Sequence, residues 1–110
     1  MANTFKLKTK ANVGVTTVGI YTAPASTTTV VIGITMANTS GSGVNVGVGI
    51  TRASAEDIKL LKNAPLPQGS SLEFMAGNKV VLEATDTITV DSDANNSVDT
   101  ALTCLLYTSD

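Results

Sequence analysis

The chain of 110 residues is 43% hydrophobic but only 4% aromatic, and it carries no His, one Cys and a formal net charge of −2. This length predicts a single domain, and a charge so close to zero does not favour binding to nucleic acid or to an anionic membrane. Without His the chain lacks the commonest general base and metal ligand, and one Cys cannot build a disulfide framework. We therefore predict that it is not an enzyme and holds no cofactor.

The segment Thr4–Lys10 alternates strictly along the chain, which predicts a β-strand. Phe5 and Leu7 share one face of this strand, and the other face carries the lysines Lys6, Lys8 and Lys10. Two roles stay open for the lysines. They can discourage edge-to-edge pairing with another chain, or they can dock an acidic neighbour.

After a second strand at Val15–Tyr21, the segment Thr28–Thr51 has the strongest strand pattern and predicts a hairpin. Its turn is Asn38–Gly43, whose residues tolerate a reversal of the chain. Gly47 and Gly49 predict close approach of another backbone, from a second sheet or a second subunit. The aliphatic residues predicted to be buried are Val30, Ile32, Ile34, Met36, Val44, Val46, Val48 and Ile50.

The second half of the chain predicts shorter strands separated by turns. Arg52–Lys62 is compatible with a short helix, but a strand at Ile58–Asn63 is favoured, and two prolines predict irregular structure at Ala64–Gly69. The remaining predicted segments are the strands Ser71–Met75, Val80–Ala84, Thr87–Asp91 and the one from Val98, with a hairpin turn at Ala76–Lys79 and a polar loop at Ser92–Ser97. About eight short strands at such spacing are typical of an all-β antiparallel β-sandwich or jelly-roll.

One loop is a weak candidate for a metal site, because its oxygen spacing echoes the start of a calcium loop. The candidate ligands are Asp91, Asp93, Asn95 and Asp99. Asn96 stands where the calcium pattern needs Gly, and Leu102 stands where it needs a closing Glu. A solvated loop is therefore the favoured interpretation, and no metal is predicted.

Charge is unevenly distributed, with six basic and two acidic residues up to Lys62 but one basic and seven acidic residues from Asn63 onward. Either the domain has two solvated faces of opposite sign, or complementary surfaces meet in a homo-oligomer. The predicted interaction residues are Lys6, Lys8, Lys10 and Tyr21. Tyr21 is included because it is the one aromatic residue free to serve as a platform for a sugar.

The segment Cys104–Asp110, CLLYTSD, is similar to the peptide translated from an adapter used in preparing sequencing libraries. We predict a single β-sandwich domain at residues 1–103, and a segment 104–110 that replaces the native end of the last strand.

Three stretches together resemble a known group of proteins: YTAPASTTTVVIGITMANTSGS, KNAPLPQGSSLEF and GNKVVLEATDTITVDSDANNSVD. They look like parts of small virion structural proteins from tailed phages of marine bacteria, particularly phages of cyanobacteria, and the likeness runs from about Lys8 to Leu102. The resemblance implies a non-enzymatic virion component, either capsid decoration or part of the neck, tail or fibre. Its partners would be other virion proteins and further copies of itself. The alternative function is a carbohydrate-binding or adhesin module for a host glycan.

The predicted location is the virion, after synthesis in the host cytoplasm. The sequence contains no apolar run long enough for a membrane span and no signal-peptide pattern, which agrees with this prediction. Neither a membrane nor a nucleic acid is predicted as a partner.

Overall fold

The computed structural model describes residues 2–52, 56–74 and 80–108, and all regular structure within these ranges is β-strand. The strands are β1 (Ala2–Val13), β2 (Val18–Thr22), β3 (Thr27–Asn38), β4 (Val44–Thr51), β5 (Ile58–Leu66), β6 (Ser71–Phe74), β7 (Val80–Leu82), β8 (Thr87–Ser92) and β9 (Val98–Thr108). Within the same ranges, no helix is long and apolar enough to cross a membrane.

The strands form two antiparallel sheets that pack against each other, which confirms the predicted sandwich. The front sheet has the order β1-β9-β3-β6, with β7 also paired to β3, and the back sheet has the order β2-β8-β4-β5. Since β6 and β7 pair with successive parts of β3, they act as one interrupted strand. The chain passes back and forth between the sheets, and this order is that of a jelly-roll.

The core lies between the two sheets and is built from aliphatic side chains. The largest completely buried ones include Ile34, Met36, Leu82, Ile88 and Leu102. A period of two along each strand sends alternate residues into this layer, which explains why a chain so poor in aromatic residues still closes a core.

The predicted hairpin at Thr28–Thr51 is wrong, although both of its strands exist. β3 pairs with β9, β6 and β7 in the front sheet, whereas β4 pairs with β5 and β8 in the back sheet. The two strands therefore face each other across the core and share no ladder. Alternation marks which face of a strand is buried, but it does not identify the strand's neighbour.

A β-bulge also changes which residues of β3 are buried. The pairing of β3 with β9 shifts between Val31 and Gly33, so that Val31 and Ile34 both point into the core. An inserted residue reverses the alternation on the two sides of the bulge. Consequently Val30 and Ile32 lie on the outer side, and the prediction that they are buried is wrong; the other six predicted residues are buried.

The strand predicted at Ile58–Asn63 is confirmed, but it continues to Leu66 and contains Pro65. Irregular structure was predicted at Ala64–Gly69, and this is wrong for the part that belongs to β5. Because β5 is at the edge of the back sheet, a proline without an N–H group is tolerated there.

The close backbone approach predicted at Gly47 and Gly49 is confirmed, and its source is β5. A Cβ atom added to Gly49 would lie 2.8 Å from the carbonyl oxygen of Ile58, and one added to Gly47 would lie 3.2 Å from that of Leu61. The neighbour is thus the adjacent strand of the same sheet, rather than a second sheet or subunit.

The hairpin turn predicted at Ala76–Lys79 lies outside the described residues. The strands β6 and β7 on either side of it both pair with β3. At the other end of the chain, β9 includes Cys104 and runs to Thr108 between β1 and β3. The origin of residues 104–110 stays a prediction.

Candidate interaction surfaces

β1 is an edge strand, and its basic and apolar side chains lie on the opposite faces from those expected. An edge strand usually turns its apolar side chains to the core and its charged ones to solvent. Lys6 pairs with Cys104 and Lys8 with Leu102, and both partners are completely buried. Because directly opposed residues point to the same side of a sheet, these lysines lie on the inner side of the front sheet. Phe5 and Leu7 consequently lie on its outer face.

The lysines stay exposed because the flank of the sandwich between β1 and β2 is open. A cleft of about 400 Å³ lies there, lined by Lys6, Lys8, Gly19, Ile20, Tyr21, Thr22, Pro24 and Leu106. The structure thus brings together three of the four predicted interaction residues, Lys6, Lys8 and Tyr21, and their role in an interaction stays a prediction. Lys10 lies further along β1, beside a different groove that also contains Asn95 and Asn96.

Tyr21 forms part of the wall of this cleft. The ring is buried, and its hydroxyl oxygen lies 3.3 Å from Oγ1 of Thr29, within hydrogen-bond distance. Lys8 Nζ is 6.0 Å from the ring centroid, at the outer limit of a cation–π contact. Burial raises the pKa of the Tyr21 phenol, partly opposed by the Thr29 hydrogen bond. A buried ring offers little face for stacking, which counts against the prediction that Tyr21 is free to serve as a platform for a sugar.

Part of the uneven charge is neutralised within the chain. Arg52 Nη2 lies 2.6 Å from Glu83 Oε1, and Arg52 Nε lies 3.3 Å from Asp86 Oδ2. The Nε contact is an ion pair by distance only, because its geometry does not make a hydrogen bond. Lys59 Nζ lies 3.9 Å from Asp91 Oδ2. These basic residues, which precede Asn63, therefore pair with acidic residues that follow it.

The carboxylates of the weak metal candidate are directed at different partners. Asp93 Oδ1 accepts the Asn45 N–H at 2.9 Å, and Asp99 Oδ1 accepts the Asn12 N–H at 3.0 Å. Asp91 Oδ2 accepts the Thr17 hydroxyl at 3.1 Å. In the described ranges no group of three or more His, Cys, Asp or Glu residues could hold a metal ion. Asp93 and Asp99 instead fasten neighbouring segments of backbone, and Asp91 holds a side-chain hydroxyl.

The outer face of the front sheet carries a row of apolar side chains that crosses four strands. Phe5 of β1 lies opposite Leu105 of β9, Leu105 lies opposite Val30 of β3, and Val30 lies opposite Val81 of β7. We call these four residues the outer apolar row. Phe5 is 71% exposed and Val81 is 57% exposed, and Leu7, next to Phe5 on the same strand face, is 64% exposed.

Beyond the row, the outer face consists mainly of small side chains and has little charge. The described strand residues that point outward there include Thr9, Thr28, Thr35, Ala37, Ala101 and Thr103, and the charged ones are Glu73 and Asp99. None of the described strand residues on this face is basic. The sequence did not reveal the row, because an alternating strand has two possible orientations and only its pairing with β9 fixes which side is outward.

No protein-family model matches the sequence. A search of well-characterised proteins found no relative. Solved structures do match in fold. A chain of the disulfide-linked pili of Bacillus endospore appendages superposes with a TM-score of 0.60 at 15% identity, covering 99% of this chain and 88% of that one. A chain of the acid-stable capsid of Helicobacter pylori bacteriophage KHP30 gives 0.60 at 10% identity, covering 99% and 90%.

A chain of infectious bursal disease virus, strain Gx, gives a TM-score of 0.51 at 12% identity, covering 94% of this chain but 32% of its own. At such low identities the likeness shows a shared fold. The fold of this chain is therefore one that chains from a phage capsid, from a second virus and from a pilus also have.

Proposed function

We propose that the protein is a non-enzymatic structural subunit of a virion, which acts through contacts with other copies of itself and with other virion proteins. One observation carries the proposal. Phe5 and Leu7, the two most exposed large hydrophobic side chains of the described residues, lie on the outer face of a sheet and not around a cleft. Contiguous apolar surface of this kind marks a site of protein–protein contact.

The fold supports this proposal. The two chains matched along most of their own length come from a phage capsid and from a pilus, both of which are assemblies of protein. The resemblance of Lys8–Leu102 to small virion proteins points in the same direction. Within a virion we propose capsid decoration or a place in the neck, tail or fibre, and a tailed phage of marine bacteria as the source.

The cleft between β1 and β2 provides a second contact in this proposal. Lys6 and Lys8 present two ammonium groups at the rim of a cleft whose floor includes Ile20 and Leu106. Such a site suits an acidic segment of a neighbouring virion protein, because carboxylates would pair with the lysines while apolar side chains cover the floor. The carbohydrate alternative gains no support here, since the ring of Tyr21 is buried.

Quantitative mass spectrometry of purified virions tests the proposed function. We expect the protein to band with intact particles in a density gradient, in many copies and in a fixed ratio to the major capsid protein. A non-structural phage enzyme measured in the same fractions serves as the control. If the protein stays at the level of that enzyme, it is not a virion subunit.

A further inference from the structure

We infer that the outer face of the front sheet binds the same face of a second copy of this chain, and that the contact includes the outer apolar row. This inference rests on the proposed function and names the surface and the partner through which it works.

The orientation of β1 is the first argument. An edge strand with alternating apolar and basic residues normally turns the apolar set inward and the charges to water. Here Lys6 and Lys8 share the side of buried Cys104 and Leu102, and Phe5 points outward at 71% exposure. A face built in this way is suited to contact with protein.

The charge of the face agrees with a second copy as the partner. None of the described strand residues on it is basic, so these residues offer no cation that would attract a nucleic acid or an acidic protein. Glu73 pairs opposite Thr35 and Asp99 opposite Ala37, at levels four and six residues of β9 away from Leu105, which places these carboxylates about 13 and 20 Å along the strands from the row. The apolar row can therefore meet the same row of a second copy without like charges in contact.

The size of the face agrees with a dimer interface. Four strands spaced about 4.8 Å apart, the longest of them about 40 Å long, form a face of roughly 750 Å² at most. A stable interface of standard size buries about 800 Å² on each partner. We expect an isologous dimer in which the two front sheets lie about 10 Å apart, with strand directions within about 30° of each other.

Sedimentation velocity of the whole chain over a range of concentrations tests the inference. The wild-type protein is expected to show a monomer–dimer equilibrium. Val81→Lys brings a charge into the row of both copies and should raise the dimer dissociation constant about a hundredfold or more. Val15→Lys is a matched control, because Val15 is also 57% exposed but lies in the β1–β2 connection. It should leave the dissociation constant within about threefold of the wild-type value.

A Phe5→Lys variant, at the other end of the row, should weaken the dimer as Val81→Lys does, and thermal unfolding would confirm that each variant is folded. A wild-type protein that is monomeric at every concentration would overturn the inference, and so would a dimer that Val15→Lys weakens as much as Val81→Lys. Virion mass spectrometry separates the two proposals. A monomer found in virions contradicts this inference alone, and a dimer missing from virions contradicts the proposed function alone.

Discussion

Replacing Asn38 by Ala tests how the chain is held where it crosses from the front sheet to the back sheet. Asn38 ends β3 and is 4% exposed. Its Nδ2 donates to the carbonyl oxygens of Ser42 and Leu66, each at 2.9 Å. Its Oδ1 accepts from the N–H of Ser40 at 2.9 Å and from the Ser40 hydroxyl at 2.8 Å. One side chain thus links the β3–β4 connection to the end of β5.

The expected loss follows from the groups that remain unpaired. In Asn38→Ala, water can reach Ser40, which is half-buried, and Ser42, which is exposed, so each of the three hydrogen bonds lost there costs about 0.5 kcal/mol, the low end of the net range. The bond to the Leu66 carbonyl is buried, and leaving such an acceptor without its partner costs about 1–3 kcal/mol. We expect the free energy of unfolding to fall by about 2–4 kcal/mol.

Urea denaturation at a fixed protein concentration measures this loss, with the slope of the transition as a check that the folded state keeps its compactness. Ser40→Ala is the matched control, because it removes one of the two donors to Asn38 Oδ1 and leaves the buried bond to Leu66 intact. It should cost about 1 kcal/mol or less. If Asn38→Ala lowers the free energy of unfolding no more than this control does, the buried hydrogen bond to Leu66 does not stabilise the β3–β4 connection.

Three further predictions concern single residues. Gly49→Ala should lower the free energy of unfolding by about 1–3 kcal/mol, because its Cβ would lie 2.8 Å from the Ile58 carbonyl oxygen. Gly33→Ala should leave the free energy of unfolding unchanged, because no atom lies within 4 Å of the added Cβ. Equal urea midpoints for the two variants would contradict this. Burial raises the pKa of Tyr21 above 10.0, so its contribution to stability is complete below pH 10 and is lost as pH rises through the higher folded-state pKa. Tyr21→Phe should therefore reduce the alkaline fall in stability, and an unchanged pH profile would refute the assignment. Burial likewise raises the pKa of the Cys104 thiol. A thiol reagent at pH 8 should therefore modify the folded chain far more slowly than the urea-unfolded chain. Similar rates for the two would show that the thiol is accessible in the folded chain.

Sequence reasoning predicted most of the strands but not their partners. The period of two was sufficient to place strands in Thr28–Thr51, yet β3 and β4 belong to different sheets. The bulge at Ile32 reversed the alternation within β3. Gly33, which stands at the register shift, is a residue type that often marks a bulge, but the alternation was read through it without a break. Pro65 was taken as the end of regular structure, because an edge position that tolerates proline cannot be recognised until the strand order is known.

The candidate surfaces also depend on strand pairing that the sequence does not reveal. The alternation of Lys6 and Lys8 with Phe5 was visible in the sequence, but the side that faces the core is decided by pairing with Leu102 and Cys104, which are distant in the chain. The outer apolar row likewise exists only through register. Carboxylate spacing alone indicated a metal loop, whereas in the fold Asp93 binds the backbone of a different strand.

Cryo-electron microscopy of purified virions tests most directly whether this chain is a structural subunit that works through its outer face. The account predicts density for the jelly-roll in many symmetry-related copies, with Phe5 and Val81 covered by the front sheet of a neighbouring copy. A virion map without this density, or one in which the outer faces of all copies are open to solvent, would contradict it.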